Sequence, residues 1–312
     1  MKQHMNGTKP SLVEREVVVV GSVNVDMMTT VSRHPSPGET VQGKEMRILP
    51  GGKGANQALA AARLGAKTRL IGSVGQDANA AVALESLRSA GVDLDGVLGC
   101  GTATGMAIVT VDDSGENTTG ANAQMDAEAV LKCRDTIAGA AILVVQGEIP
   151  PSTTETAIAI ATGRVVLNLA PVISLSPDAI RAADPLVVNE HEAALVLRQL
   201  KPEMPVPTGH ADLTEALAAS GPVSVVLTRG ARGAMFSEGH GIHSVSSPKV
   251  DVADTSGAGD AFVGVLSASL AAGTSLSEAV EFAVRVGAYS VQRFGTQPSY
   301  PTSRDELPGV MM

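Results

Sequence analysis

The run Asp254-Thr-Ser-Gly-Ala-Gly-Asp260 precedes a helical pattern, Ala261–Ala271. Gly257, Ala258 and Gly259 are small, so the backbone N–H groups ahead of the helix stand unshielded, and the helix N-terminus adds partial positive charge. Such a turn holds an anion and suits a phosphoryl group whose charge grows during transfer. Asp260 falls in the helix's first turn, where a carboxylate can take a proton from an attacking hydroxyl. The same run also reads as a capped helix after a glycine turn, with the aspartate favoured by the dipole. A second glycine-rich run, Gly51-Gly52-Lys53-Gly54-Ala55-Asn56, leads into another helical pattern. Paired glycines let a ligand approach the backbone closely, and Asn56 offers both a donor and an acceptor to a hydroxyl. It is no Walker loop, because Lys53 precedes the third glycine and no Ser or Thr follows it. Its plainer alternative is a helix-start turn with a solvated Lys53.

Four further runs sit at the carboxyl ends of apolar stretches, where open α/β sheets bind ligands. In Gly21-Ser-Val-Asn24-Val-Asp26, Asn24 and Asp26 are two apart and share a face of an extended segment. An amide and a carboxylate so paired suit vicinal hydroxyls; an Asx turn is the alternative. Gln146-Gly-Glu148 offers a carboxylate for ligand contact or simply for solvent. Asn189 and Glu192 are three apart on a helix face and suit a hydrated Mg²⁺ or, equally, a capping box. Thr228-Arg229-Gly230-Ala231-Arg232-Gly233 is a turn on which a nucleotide can lie, or a tight hairpin into Ala234–Ser237.

Elements must bring these runs together. Short apolar stretches at Val17–Gly21, Ala141–Val145, Val165–Leu169, Leu186–Val188 and Val223–Leu227 alternate with helix-length segments such as Ala55–Leu64, Ala78–Ala90, Thr154–Ala161 and Glu190–Leu200. That rhythm predicts an α/β fold, a doubly wound, mostly parallel sheet flanked by helices. Two regions break it, about 23–50 and 103–122, and together predict a small β-sheet lid or, without function, an edge hairpin. Residues 1–15 read as a disordered tail and 16–312 as one domain. The 312 residues are rich in small side chains with only 2% aromatics, which suits closely packed layers. Net charge is −9 with no basic stripe, so nucleic acid is not expected as a partner. No apolar run is long enough for a membrane span. Two distant cysteines, Cys100 and Cys133, point to a reduced, cytoplasmic protein.

From about Val17 to Ser299 the chain resembles the ribokinase family of carbohydrate kinases. The likeness is carried by Gly21–Asp26, Pro37-Gly-Glu-Thr40, Gly51–Asn56, Asp254–Asp260 and Gly295-Thr-Gln-Pro-Ser299, in that order. The resemblance implies ATP-dependent phosphorylation of the primary (5-) hydroxyl of D-ribose. It implies sugar contacts at Asn24, Asp26, Gly52, Lys53, Asn56 and Glu148, with Asp260 as catalytic base beside the amides of Gly257, Ala258 and Gly259. It places the nucleotide against Asn189, Gly259 and the turn Thr228, Arg229, Gly230, Ala231, Arg232, Gly233. It implies a Mg²⁺-associated Glu192. It also implies an activating monovalent cation, K⁺, held near Asp254, Ser256, Ser290, Arg293, Gly295 and Ser299, mostly by carbonyls. A lid-mediated homodimer is implied too. Two departures stand out: a shortened segment after Glu116-Asn117, reading Thr-Thr-Gly-Ala-Asn122, and Val284-Arg285 where smaller or more polar residues are expected beside an adenine. The alternatives are a same-fold kinase of deoxyribose, fructose or adenosine, and a non-catalytic sugar or nucleotide sensor.

Overall fold

The computed structural model describes residues 15–29, 39–42, 46–110, 116–117, 120–239 and 241–309. The expected tail, apart from residue 15, lies outside them, as do residues 37–38 and 118–119 of the runs quoted above.

The chain opens with β1 (Val17–Val20), steps through three residues into β2 (Asn24–Thr29), and returns along β3 (Met46–Gly51). Next come α1 (Lys53–Arg63), β4 (Thr68–Gly75), α2 (Ala78–Ser89) and β5 (Asp93–Cys100), followed by β6 (Gly105–Thr110) and β7 (Glu116–Asn117). After a 3₁₀ turn at Gly120–Gln124 the order is α3 (Ala127–Lys132), α4 (Arg134–Gly139), β8 (Ile142–Gln146), α5 (Pro151–Ile160), β9 (Arg164–Asn168), α6 (Pro177–Arg181) and β10 (Leu186–Asn189). Then follow α7 (Glu190–Leu200), α8 (His210–Ala218), β11 (Ser224–Thr228), β12 (Ala234–Glu238), β13 (Ile242–Val245), α9 (Ala258–Ala272) and α10 (Leu276–Ser290).

The main sheet has the order β13-β12-β11-β10-β9-β8-β1-β4-β5. Its strands are parallel from β11 to β5; only the edge pairings β11–β12 and β12–β13 are antiparallel. This is the doubly wound sheet that the alternating pattern predicts. β1 is four valines, all fully buried. Val17 and Val19 pack into the layer built with α1, α2, α9 and α10, while Val18 and Val20 pack into the opposite layer with α5, α7 and α8. A strand buried on both faces has no polar side to show, hence the unbroken apolar run. The chain winds outward from β1 through β4 to β5, and in the other direction from β8 through β11. The winding therefore reverses between β1 and β8, where a ligand crevice forms in such sheets.

β4 and β5 were not picked out by the apolar-run signal. Thr68–Gly75 carries Arg69, Ser73 and two glycines, and Asp93–Cys100 carries two aspartates and two glycines. β5 is an edge strand, and its mixed exposure explains the polar residues.

The small second sheet has the order β3-β2-β6-β7, with β2 parallel to β6 and antiparallel to β3. Its base is tied to the main body by Asp77. That carboxylate caps α2 at Ala80 N (3.0 Å) and accepts from Thr104 N (2.8 Å) and Thr104 Oγ1 (2.6 Å), one residue before β6. The Thr104 hydroxyl in turn accepts from Gly75 N at 3.0 Å. Asp77→Ala should lower the urea midpoint by an amount corresponding to about 1 kcal/mol, the usual cost of a lost N-cap. Asp77→Asn should keep most of that stability.

Candidate active site

The reversal point brings the ends of β1 and β8 side by side, with Val20 opposite Val145. Residues just past each strand therefore meet. Ser22 Oγ donates to Glu148 Oε2 at 2.5 Å, and the same oxygen accepts from Lys53 N at 3.0 Å. Gly54 N donates to Ser22 Oγ at 3.3 Å. The first N–H groups of α1 are satisfied this way because Gly52, at its N-cap, has no side chain to do so.

Asn24 and Asp26 project from one face of β2. Asn24 is buried and its Oδ1 accepts from Asn122 Nδ2 at 2.6 Å, while Asn122 Oδ1 accepts from Val23 N at 3.0 Å. Asn122 has no role in the sequence reading. Its only signal there is its place in the Gly-Ala-Asn run after β7. The Asp26 carboxylate lies across Gly51: a Cβ at position 51 would stand 2.2 Å from Asp26 Oδ1, so only glycine leaves room for it.

Asp260, in the first turn of α9, is buried. Its Oδ2 accepts from Asn56 Nδ2 and its Oδ1 from Gln57 Nε2, each at 2.9 Å. Asn56, expected at the sugar, thus has part of its hydrogen-bonding capacity committed to the carboxylate. The turn before α9 is held from behind. Gly257 is left-handed (φ 71°), and a Cβ there would lie 2.1 Å from Thr296 Cγ2. The Tyr300 hydroxyl donates to Gly257 O at 3.1 Å. Arg63, in the last turn of α1, pins the same C-terminal stretch by donating to the carbonyls of Gln297 (2.7 Å) and Tyr300 (2.9 Å).

Lys53 is the cation of this site. Asp260, and less strongly Glu148, Glu192 and Asp26, hold its ammonium well above the usual lysine range against the opposing cost of burial. Burial pushes Asp26 up to about 7, helped by the negative charges of Glu148 and Asp260 and opposed by Lys53. Burial also raises Glu192, although a backbone N–H from Asn189 and the charge of Lys53 act the other way. Burial drives the Tyr300 phenol well above its usual value, with Asp260 and Asp26 adding to the shift.

On the other side of the anion turn lies a cavity of about 510 Å³. Asn189, Thr228, Gly230, Ala231 and Gly233 line it, as do Ala258 and Gly259 of the anion turn. Its apolar lining comes from Val250, Val252, Phe262, Val284, Ala288 and Val291, and Ser247, Lys249 and Thr255 add polar groups. Of the apolar ones, Val284 is singled out in the sequence; Val250 and Val252 lie in an irregular loop, where valines carry no periodicity, and Phe262 and Ala288 are ordinary apolar positions of α9 and α10. The arginines of the turn do not line the cavity. Arg229 folds back onto Arg232 O and Ser244 Oγ, both at 2.9 Å, and Arg232 pairs with Glu190, which also meets His210. The hairpin alternative is therefore also present, as β11 and β12 pair antiparallel. Arg285, expected beside an adenine, turns away to Pro308 O (2.9 Å) and Leu307 O (3.3 Å). Asn189 and Glu192 form the capping box of α7, with reciprocal bonds of 2.8 and 2.9 Å. Asn189 lines the cavity from that position.

The residues assigned to a monovalent cation fall on two adjoining loops. Asp254 Oδ1 accepts from Ser256 N and Oδ2 from Gly295 N, both at 2.9 Å. Burial raises its pKa, but these backbone donors outweigh it and hold the carboxyl below its ordinary range. The hydroxyls of Ser290 and Ser299 donate to the carbonyls of Gly287 and Thr296, and Arg293 stacks on Tyr289 at 4.3 Å. Among the described residues no group of three or more His, Cys, Asp or Glu side chains is placed to hold a metal, and no helix is long and apolar enough to cross a membrane.

Comparison with known proteins agrees with this fold. The pfkB family carbohydrate kinase profile matches residues 14–303. The chain is similar to a ribokinase of Schizosaccharomyces pombe, 37% identical with 92% of this chain and 95% of that one covered. It is also similar to a deoxyribokinase of Salmonella typhi, 32% identical over 92% and 96% of the two chains. Among solved structures, Arabidopsis thaliana ribokinase complexed with ribose and ATP superposes with a TM-score of 0.82 at 30% identity, covering 93% of this chain and 96% of that one.

The raised Asp26 has a consequence for stability. A carboxyl whose folded pKa lies above its ordinary 3.8 makes the fold less stable as pH rises from about 4 to about 7, and the cost is constant beyond that. Asp26→Asn removes the ionisation. Its melting temperature should exceed that of the parent by a margin that grows over this range and is largest at pH 8. A margin independent of pH would mean that Asp26 ionises normally in the fold.

Proposed function

This chain belongs to the pfkB family of carbohydrate kinases, and on that premise we propose that it transfers the γ-phosphoryl group of ATP to the primary (5-) hydroxyl of D-ribose. The observation that carries this reading is the position of Asp260. Its carboxylate accepts from Asn56 and Gln57 of α1, and the turn it follows lines a cavity of about 510 Å³.

In this reading Asn24, Asp26, Gly52, Lys53, Asn56 and Glu148 surround the sugar and hold its ring hydroxyls. The primary hydroxyl points at Asp260, which takes its proton as oxygen attacks the phosphorus. The N–H groups of the turn Gly257–Asp260 steady the negative charge on the transferring group, in line with the N-terminus of α9. ATP lies across the cavity, its base against the apolar lining and its phosphates towards the turn. Lys53, whose charge four carboxylates maintain, supplies a further cation at the junction. Mg²⁺, which binds phosphates and keeps several waters, would supply charge neutralisation between the phosphates; Glu192 fits it through water. Asp254, Ser256, Ser290, Arg293, Gly295 and Ser299 would hold a K⁺ ion, which would stiffen the anion turn next to it.

The second sheet is read as a lid over the sugar that excludes water as a competing acceptor. Met46 and Ile48 of β3 are 63% and 49% exposed, which supports lid-to-lid pairing in a homodimer. A cytoplasmic location accords with the substrates and the two free cysteines.

Release of ADP should be measured with Mg²⁺-ATP and ribose, deoxyribose, fructose or adenosine, each with and without K⁺. Turnover should be strongest with ribose and rise with K⁺. Preference for deoxyribose would keep the mechanism and reassign the pocket; no turnover from protein that still binds ATP would favour a sensor. Asp260→Asn should lower kcat about 10²–10⁴-fold, the usual range for loss of a general base, while sugar binding survives. The KM for sugar should rise as pH falls below about 7, where Asp26 takes up its proton, and this rise should vanish in Asp26→Asn.

A further inference from the structure

Behind Asp260 lies a chain of buried amides that the mechanism above does not use. We propose that Gln57, backed by Gln146 and Asn168, and Gln297, acting through Asn56, are positioning residues that lock the Asp260 carboxylate towards the acceptor hydroxyl and set turnover without touching either substrate. This inference rests on the reading of Asp260 as the base.

The geometry is directional. Asn168 Nδ2 donates to the backbone carbonyl of Val187 at 3.0 Å, and a carbonyl can only accept. Asn168 Oδ1 must therefore face inwards, where it accepts from Gln57 Nε2 at 3.0 Å. Gln57 Oε1 is in turn occupied by Gln146 Nε2 at 2.8 Å. With its oxygen engaged, the Gln57 amide cannot flip, and its N–H group must face Asp260 Oδ1, 2.9 Å away. On the other carboxylate oxygen the pattern repeats. Gln297 Nε2 donates to Asn56 Oδ1 at 3.0 Å, which leaves Asn56 Nδ2 to donate to Asp260 Oδ2. Polarity is thus passed from a main-chain carbonyl on β10 to a side chain on α9.

Burial makes these bonds count. Gln57, Gln146 and Gln297 are each 0% exposed, and Asn56 and Asn168 are nearly so. No solvent competes for the donors, and linked hydrogen bonds in such surroundings reinforce one another. Gln146 is seated closely: its Oε1 would lie 2.0 Å from a Cβ at Gly21, so the amide occupies space that any other residue at 21 would fill. A side chain held at both oxygens by buried amides, one arm of them anchored on a main-chain carbonyl, keeps the geometry that in-line proton removal demands.

The test compares Gln57→Met, Gln57→Glu and Gln297→Met with the parent and with Asp260→Asn, using D-ribose and Mg²⁺-ATP. Gln57→Met should lower kcat about 10–100-fold and leave the KM for each substrate within about threefold, the pattern of an interaction that matters in the transition state. Gln57→Glu keeps the shape but sets a second carboxylate against Asp260. The acid limb of its kcat profile should move to higher pH, with activity recovering in alkali, because two adjacent carboxylates resist joint ionisation. Lys53, Asp26 and Tyr300 also face this site but are common to parent and variant, so the displacement between the two profiles reports position 57. Gln297→Met, one residue further from the carboxylate, should lower kcat about 3–10-fold with KM unchanged, and it tests the proposal should the Gln57 variants not fold. Unchanged kcat, a rise in KM alone, or a loss of kcat with an unmoved pH profile in Gln57→Glu would each overturn the proposal. If Asp260→Asn is inactive while the glutamine variants are normal, this inference alone fails. If Asp260→Asn keeps its turnover, the base assignment fails and takes the inference with it.

Discussion

A carboxylate can be buried in a helix's first turn only if other elements bring donors to it, and that requirement fixes how α1 and α9 sit. Asn56 and Gln57 meet Asp260 from α1, so the two helices converge with their N-terminal ends at one place. Two positive helix ends then face the same small volume. Glu148 satisfies one, and the other, behind Gly257, has no side-chain cap. The small residues along both helices follow from this. A Cβ at Gly264 of α9 would stand 2.4 Å from Gln57 O of α1, so the helices approach as closely as they do only because that side chain is absent.

The charges around the junction form a set rather than a list of independent residues. Lys53 stands among Asp26, Glu148, Glu192 and Asp260, one cation to four carboxylates. In a chain already of net charge −9, such a cluster would repel the phosphates of a nucleotide. It becomes workable because Asp26 is half-neutralised near pH 7 and because uncharged donors carry much of the remaining burden. The backbone N–H groups of the turn before Asp260 and the amides of Asn56 and Gln57 supply positive potential without adding ionisable groups. The cavity beside the anion turn likewise combines a few polar groups with a lining of valines, alanines and phenylalanine.

Much of the fold was legible because parallel strands buried on both faces leave unbroken apolar runs, as β1, β8, β9, β10 and β11 do. β4 and β5 were not legible by that rule. Their glycines and polar residues suit a position beside the second sheet and at the edge, which is a fact of tertiary neighbourhood and not of local pattern. The glycine-rich turns at 51–56 and 254–260 were legible because a helix N-terminus stripped of side chains has few other uses in a chemical site. Their partners were harder to see. Gln57, Asn122, Gln146, Asn168 and Gln297 are ordinary polar residues in sequence, and only their convergence in a dry interior gives them meaning.

What the sequence determined by itself, then, was the class of fold and the residue types that do chemistry, since both rest on local rules: side-chain period, glycine's freedom and the helix dipole. What the tertiary structure decided was partnership. It turned Arg229, Arg232 and Arg285 away from the cavity beside the anion turn, gave Asn56 to Asp260, and buried Asp26 near Glu148 and Asp260, so that burial first and those charges second push its carboxyl up to about 7. The physical reason is that hydrogen bonding and electrostatic shifts depend on distances of a few ångströms between groups up to 241 residues apart in the chain. Such distances exist only once the sheet has wound and its two halves have met at β1 and β8.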